Sequence, residues 1–101
     1  MSFTEEIYGK IRVHIVDGSY LDVWLSRKMS GRYAYHWERR HIDGSIYRYD
    51  NRPHEGLRSM KTFPRHFHDT SEQNVKESRI SDDPEKAVRE VLELVRRRVS
   101  R

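Results

Sequence analysis

The sequence predicts an α+β fold: an antiparallel sheet of about five strands with one C-terminal helix packed on one face. Three observations carry this. Apolar residues alternate with polar ones in two early stretches and again in two later ones. Each pair is joined through an Asp-Gly turn, VDGS in the first case and IDGS in the second. The last part of the chain instead shows one apolar stripe at spacings of three and four. Period two is the mark of a strand and period 3.6 of a helix, and strands followed by a helix give α+β.

The elements follow in order. Ile11, Val13 and Ile15 point one way and Arg12 and His14 the other, a strand over 11–16. Leu21, Val23 and Leu25 repeat the pattern over 20–26, and further strands are expected over 32–41 and 45–50. In the second hairpin a strict two-residue turn would oppose Arg39 and Arg48, and like charges opposed in a ladder repel. A three-residue loop, Ile42-Asp43-Gly44 with Gly44 at positive φ, instead sets Trp37 against Tyr49, Glu38 against Arg48 and His36 against Asp50. The same loop at Val16-Asp17-Gly18 sets Val13 against Leu21, Ile11 against Val23 and Arg12 against Asp22. One face of the second hairpin then holds Tyr33, Tyr35, Trp37, Tyr47 and Tyr49, the other His36, Glu38, Arg48 and Asp50. Residues 51–71, punctuated by Pro53, Gly56 and Pro64, read as a long loop, and 74–80 as a fifth strand. In the helix Asp82 is placed to cap and Glu85 to reach back, with Pro84 in the first turn. Val88, Val91, Leu92, Val95 and Val99 form its apolar stripe. Arg96, Arg97 and Arg98 suit the negative end of its dipole.

At 101 residues the chain is read as a single domain, 1–101, with one modest core. Hydrophobic residues make up 35% and charged residues 36%, so the aromatics must supply much of that core. No apolar run approaches the ~20 residues of a membrane span, and MSFTEEIYGK has no apolar leader, so a cytoplasmic protein with no membrane partner is expected. The absence of cysteine excludes disulfides, thiolate zinc sites and cysteine nucleophiles. Asn51, Asn74 and Gln73 are the only amides, which together with the many ion-pair formers suggests a thermophilic source. The net charge of +4 favours an anionic partner, either nucleic acid or an acidic protein.

Three blocks then stand out in order: YAYHW, YRYDNRPH and TFPRHFH. With the short acidic turn and terminal helix that follow, they resemble the TumE-like toxin family over roughly residues 7–99. The matching positions are Tyr35-His36-Trp37, Arg48 to His54, and Phe63 to His68. Arg52 and Arg65 stand where the family pattern has smaller or other residues. The resemblance implies the toxin half of a prokaryotic type II toxin–antitoxin pair, a helix-turn-helix antitoxin as partner, and action on RNA. Homo-oligomers are compatible with it.

A metal-independent endoribonuclease needs a base for the 2′-hydroxyl, a cation for the phosphorane and an acid for the leaving oxygen. His36 with Asp50 opposite suggests an oriented acid–base pair, Arg48 a phosphate holder, and His54, His66 and His68 the second proton-transfer group. Glu38, Arg40, Tyr49, Asn51 and Arg52 surround these as candidate substrate contacts. Such an enzyme should show a bell-shaped pH profile and survive chelator. The alternative is a non-catalytic nucleic-acid-binding or protein-interaction module, in which the same residues are cross-strand polar pairs. His66-x-His68 followed by Asp69 has chelating spacing but no firm third ligand, so neither metal nor cofactor is expected. The aromatic face reads as core rather than as a base-stacking platform. Arg96, Arg97, Arg98 and Arg101 read as a solvated helix end rather than a phosphate grip.

Overall fold

The structure, a computed structural model, describes residues 3–99. Seven strands form one antiparallel sheet in chain order: β1 Phe3–Ile7, β2 Lys10–His14, β3 Tyr20–Leu25, β4 Tyr33–Arg39, β5 Ser45–Asp50, β6 His66–Thr70 and β7 Val75–Glu77. A four-residue helix, α1 Arg40–Asp43, joins β4 to β5, and α2 Pro84–Val99 follows the sheet. The expectation of about five strands is therefore corrected to seven, β1 and β6 being the additions. The reasons are physical. FTEEI lies at the sheet edge with its side chains largely exposed, so it has no buried face to impose alternation. HFHDT turns its two histidines, not apolar residues, to the face opposite the core, and it was hidden in the expected loop over 51–71.

The first hairpin has the expected register, with Val13 opposite Leu21, Ile11 opposite Val23 and Arg12 opposite Asp22. Gly18 takes φ +92°, the left-handed conformation that glycine adopts at no steric cost. The second hairpin differs. Its connection is not a three-residue loop but α1, closed by Gly44 at φ +80°, whose N–H donates to the Arg40 carbonyl at 3.2 Å. Local bonds favour the longer turn: Glu38 accepts the Arg40 N–H at 2.8 Å, and Asp43 accepts the Ser45 N–H at 3.0 Å. The pairing moves by two residues. His36 faces Arg48, Trp37 faces Tyr47, Tyr35 faces Tyr49, and Asp50 faces Ala34. A shift of two leaves every side chain on its expected face.

That face is the core. Tyr33, Tyr35, Trp37 and Tyr47 are buried with Val13 and Leu21 beneath Ala87, Val91 and Val95 of α2. Burial pushes the Tyr35 phenol up to about 12. Trp37 stacks on Tyr47 with ring centroids 5.0 Å apart, and its indole N–H donates to Ser19 Oγ at 2.9 Å, tying the second hairpin to the first. Of the expected helix stripe, Val91 and Val95 are buried, while Val88, Leu92 and Val99 pack at its margin. Ala87 and Leu94 join the buried side. The capping expectation is corrected. Asp83 supplies the first helical acceptor, to the Ala87 N–H, while Asp82 pairs with Arg65 and Glu85 with Arg89. At the other end Arg96 pairs with Glu93, and Arg98 lies over the Tyr47 ring. Arg101 lies outside the described residues. Among the described residues no helix is long and apolar enough to cross a membrane.

Candidate functional site

The sheet face opposite α2 carries a row of polar side chains set by register alone. Arg12, Asp22, His36, Arg48 and His68 stand side by side across β2 to β6, and Asp50 and His66 adjoin them one step along. The segments after β5 and β6 wall this face. Together they form a cleft of about 600 Å³, lined by Arg48, Asp50, His66 and His68 from the sheet and by His54 and Glu72 from the two segments.

Asp50, His66 and His68 are almost fully buried, at 8%, 5% and 9% exposure. Asp50 holds their centre. Its Oδ1 accepts the Arg52 N–H at 3.0 Å and stands 3.1 Å from His66 Nε2. Its Oδ2 accepts from Arg48 Nε at 3.3 Å and stands 3.8 Å from His68 Nε2. Both rings are fixed from behind. His66 Nδ1 donates to the Pro64 carbonyl at 3.0 Å and His68 Nδ1 to the Glu72 carbonyl at 2.9 Å. A carbonyl only accepts, so Nδ1 carries the hydrogen in both rings and both Nε2 atoms turn to Asp50. Burial holds His68 below the ordinary imidazole value, with help from the charge of Arg48.

Arg48 spans the site. Its guanidinium is forked on Glu72, with one contact at 2.7 Å, and that pair raises the arginine and lowers the glutamate from their ordinary values. Besides its bond to Asp50, it also reaches His36 Nδ1 at 3.2 Å. Arginine has no acceptor, so His36 accepts there and donates from Nε2 to Glu38 Oε1 at 3.0 Å. The expected His36–Asp50 pair is therefore replaced. Glu38 orients His36, and Asp50 serves His66 and His68. Both His36 nitrogens are thus engaged, one by Arg48 and one by Glu38.

Glu38 is itself buried, and hydrogen bonds from Arg40 are the main cause of its carboxyl being held down at about 2. A depressed carboxylate stabilises the fold fully above its ordinary range, and that contribution is lost as pH falls through the folded value. Urea midpoints measured between pH 6 and pH 2 are therefore expected to drop most steeply from about 4.5 downward. Glu38→Gln should flatten that limb and lower the midpoint at neutral pH. An unchanged limb would assign the acid loss to other carboxylates.

The remaining expected residues divide. Arg52 and His54 line the cleft. His54 accepts the Gly56 N–H at Nδ1, which leaves an N–H at Nε2. Arg40 lies at the edge of the face, paired with Glu38. Asn51 accepts the Tyr33 N–H and donates to the Gly31 carbonyl, so it ties strands rather than facing a ligand. Tyr49 is corrected: it lies on the α2 face, stacked on Phe67 at 4.2 Å. Two site residues were not anticipated. Glu72 gives no periodic signal in its loop. Asp22 alternates correctly, but nothing in the sequence marks it as a buried carboxylate. Burial works against its charge, yet bonds from Arg12 and Lys10 hold it below its ordinary value.

Asp50, His66 and His68 are also the group that could hold a metal ion, their ligand atoms all lying within 4.8 Å of one another. Asp69, the carboxylate that follows the two histidines in sequence, points to the other face and pairs with Lys76. The fold and site together define a small one-sheet α+β protein with a histidine-lined, arginine-bearing cleft. The chain belongs to the TumE toxin family: the family described as Toxin TumE matches residues 2–99, nearly the whole chain. No curated protein and no solved structure matches it.

Proposed function

We propose that this toxin is the effector of a type II pair, acts in the cytoplasm, and cleaves RNA in the Arg48 cleft without a metal. The observation that carries the reading is the convergence of Arg48, His66 and His68 around one buried carboxylate at the wall of an open cleft. Arg48 has the planar fork that suits a phosphate, and a phosphodiester entering there competes with Glu72 for it. His68, with an uncommitted Nε2, takes the 2′-hydroxyl proton as that oxygen attacks phosphorus. His66, beside Asp50, returns a proton to the departing 5′-oxygen, leaving a 2′,3′-cyclic phosphate and a 5′-hydroxyl. His54 and Arg52 lie where the flanking nucleotides would pass. An antitoxin of the helix-turn-helix class is the expected partner, and its acidic groups would compete for the same cleft.

One observation favours a second reading. Arg48 is already neutralised by Glu72, as in a purely structural ion pair, which suits a binding module without chemistry. Expression of the chain alone in a bacterial host, with purified protein assayed on RNA, separates the two. Arg48→Ala is expected to slow cleavage roughly 100-fold or more and to relieve growth arrest while the circular dichroism spectrum stays unchanged. Cleavage at the parental rate would remove the catalytic reading. RNA binding without cleavage, weakening steeply with salt, would establish the module.

A further inference from the structure

We infer that Asp50, His66 and His68 form a binding site for one first-row divalent transition-metal ion of the zinc class. The inference concerns ion binding and stands whether or not the chain cleaves RNA. The first argument is the direction of the lone pairs. Each ring uses its Nδ1–H on a backbone carbonyl, Pro64 for His66 and Glu72 for His68. In the neutral rings both Nε2 lone pairs therefore face the same carboxylate, which is itself only an acceptor. Three acceptors turned toward one another repel. A proton on His66 relieves the 3.1 Å contact, but His68 at 3.8 Å is too far from Asp50 to share in it. A cation among the three relieves all of them.

The second argument is distance. With bonds of roughly 2.0 Å, the ligand atoms of a tetrahedral ion stand about 3.3 Å apart. The two histidine–carboxylate separations, 3.1 Å from His66 to Oδ1 and 3.8 Å from His68 to Oδ2, lie on either side of that value, and one ligand atom from each residue lies within 4.8 Å of the others. Small side-chain adjustments suffice. The third argument is the surrounding shell. Histidine ligands characteristically donate their other N–H to a carbonyl or carboxylate, which fixes the ring, and both rings here do so. All three side chains line the cleft, so an ion has a way in and keeps an open position for water or ligand.

Donor chemistry sets the class. Two imidazoles with one carboxylate suit zinc and its neighbours rather than magnesium or calcium, which prefer oxygen throughout. Arg48 opposes a cation, since its Nε lies 3.3 Å from Asp50 Oδ2. Its fork is tied to Glu72, however, so Asp50, Arg48 and Glu72 together carry one net negative charge. An ion here would take the Nε2 atoms that metal-free cleavage uses for proton transfer, so the loaded protein should cleave less than the stripped one.

The test uses the full chain, stripped with chelator and dialysed. Calorimetric titration with Zn²⁺ alone is expected to show one ion per chain and a raised melting temperature. Co²⁺ should give the visible absorption of a low-coordinate nitrogen–oxygen site. His68→Gln and Asp50→Asn should each weaken binding by more than the roughly 10- to 100-fold that loss of an outer partner costs. His14→Ala, which changes a half-buried histidine paired with Glu5 on β2, should leave binding unchanged. Absence of stoichiometric Zn²⁺ and Co²⁺ binding to the parent would overturn the inference even if the variants failed to fold. Parental affinity in folded His68→Gln and Asp50→Asn would do the same. Cleavage that requires Zn²⁺ would uphold the site and remove the metal-free mechanism. Metal binding with no cleavage under any condition would uphold the site and remove the ribonuclease reading.

Discussion

Val91→Asp is expected to destabilise the protein by roughly 3 kcal/mol or more. Val91 is 2% exposed and belongs to the cluster in which α2 covers Tyr35 and Trp37. A carboxylate there loses its water, and the neighbouring side chains of the cluster are apolar or aromatic. The residue must stay ionised at high cost, take up a proton, or drag the helix off the sheet. Detachment would leave the aromatic face wet. Chemical denaturation gives the measurement. Val91→Ala, which removes volume without adding charge, should cost distinctly less. Equal losses for the two substitutions would mean that packing alone, not charge burial, holds the helix.

Trp37→Ala should cost about 3–5 kcal/mol, within reach of the whole stability of a domain this size. The side chain is 1% exposed and is among the largest of the fully buried ones. Its removal takes away the stack on Tyr47 and the indole bond to Ser19, and it opens a void under α2. Trp37→Phe separates these contributions. It keeps most of the ring volume and loses the N–H, while Ser19 Oγ still donates to Asp17 at 2.6 Å. A loss near 1–2 kcal/mol is expected for it. If Phe were as damaging as Ala, the tie between the hairpins would outweigh the packing.

The first hairpin was legible to the residue because Val13, Leu21, Ile11 and Val23 alternate cleanly and the Val16-Asp17-Gly18 loop has one economical conformation. In the second hairpin the faces were legible and the register was not. Alternation fixes which side a residue takes, but a shift of two preserves it. The choice fell to the bonds Glu38 and Asp43 make to nearby backbone, which periodicity does not report. The site suffered from the same gap. His66 and His68 were recognised by type and one of these loop histidines was expected near Asp50, but with β6 read as loop no register fixed which. Asp69, adjacent in sequence, gave the pair a chelating spacing without a firm third ligand, and in a strand it must face the other way. The helix was read from its stripe, and only Ala87 and Leu94 were missed, Ala87 because a small side chain adds little to an apolar pattern.

Strand order in this sheet is simply chain order, and that has a kinetic meaning. Every strand pairs with its neighbour in the chain, and most pairings close over short connections, the segment 51–65 between β5 and β6 being the long one. Among the described elements α2 returns across a longer stretch of chain, to lie over β4. A low average separation of contacts favours rapid folding. The hairpins are therefore the natural nucleus and helix docking the late step. Weakening the docked helix should then act mainly by hastening escape from the native state, leaving the rate of reaching it nearly untouched.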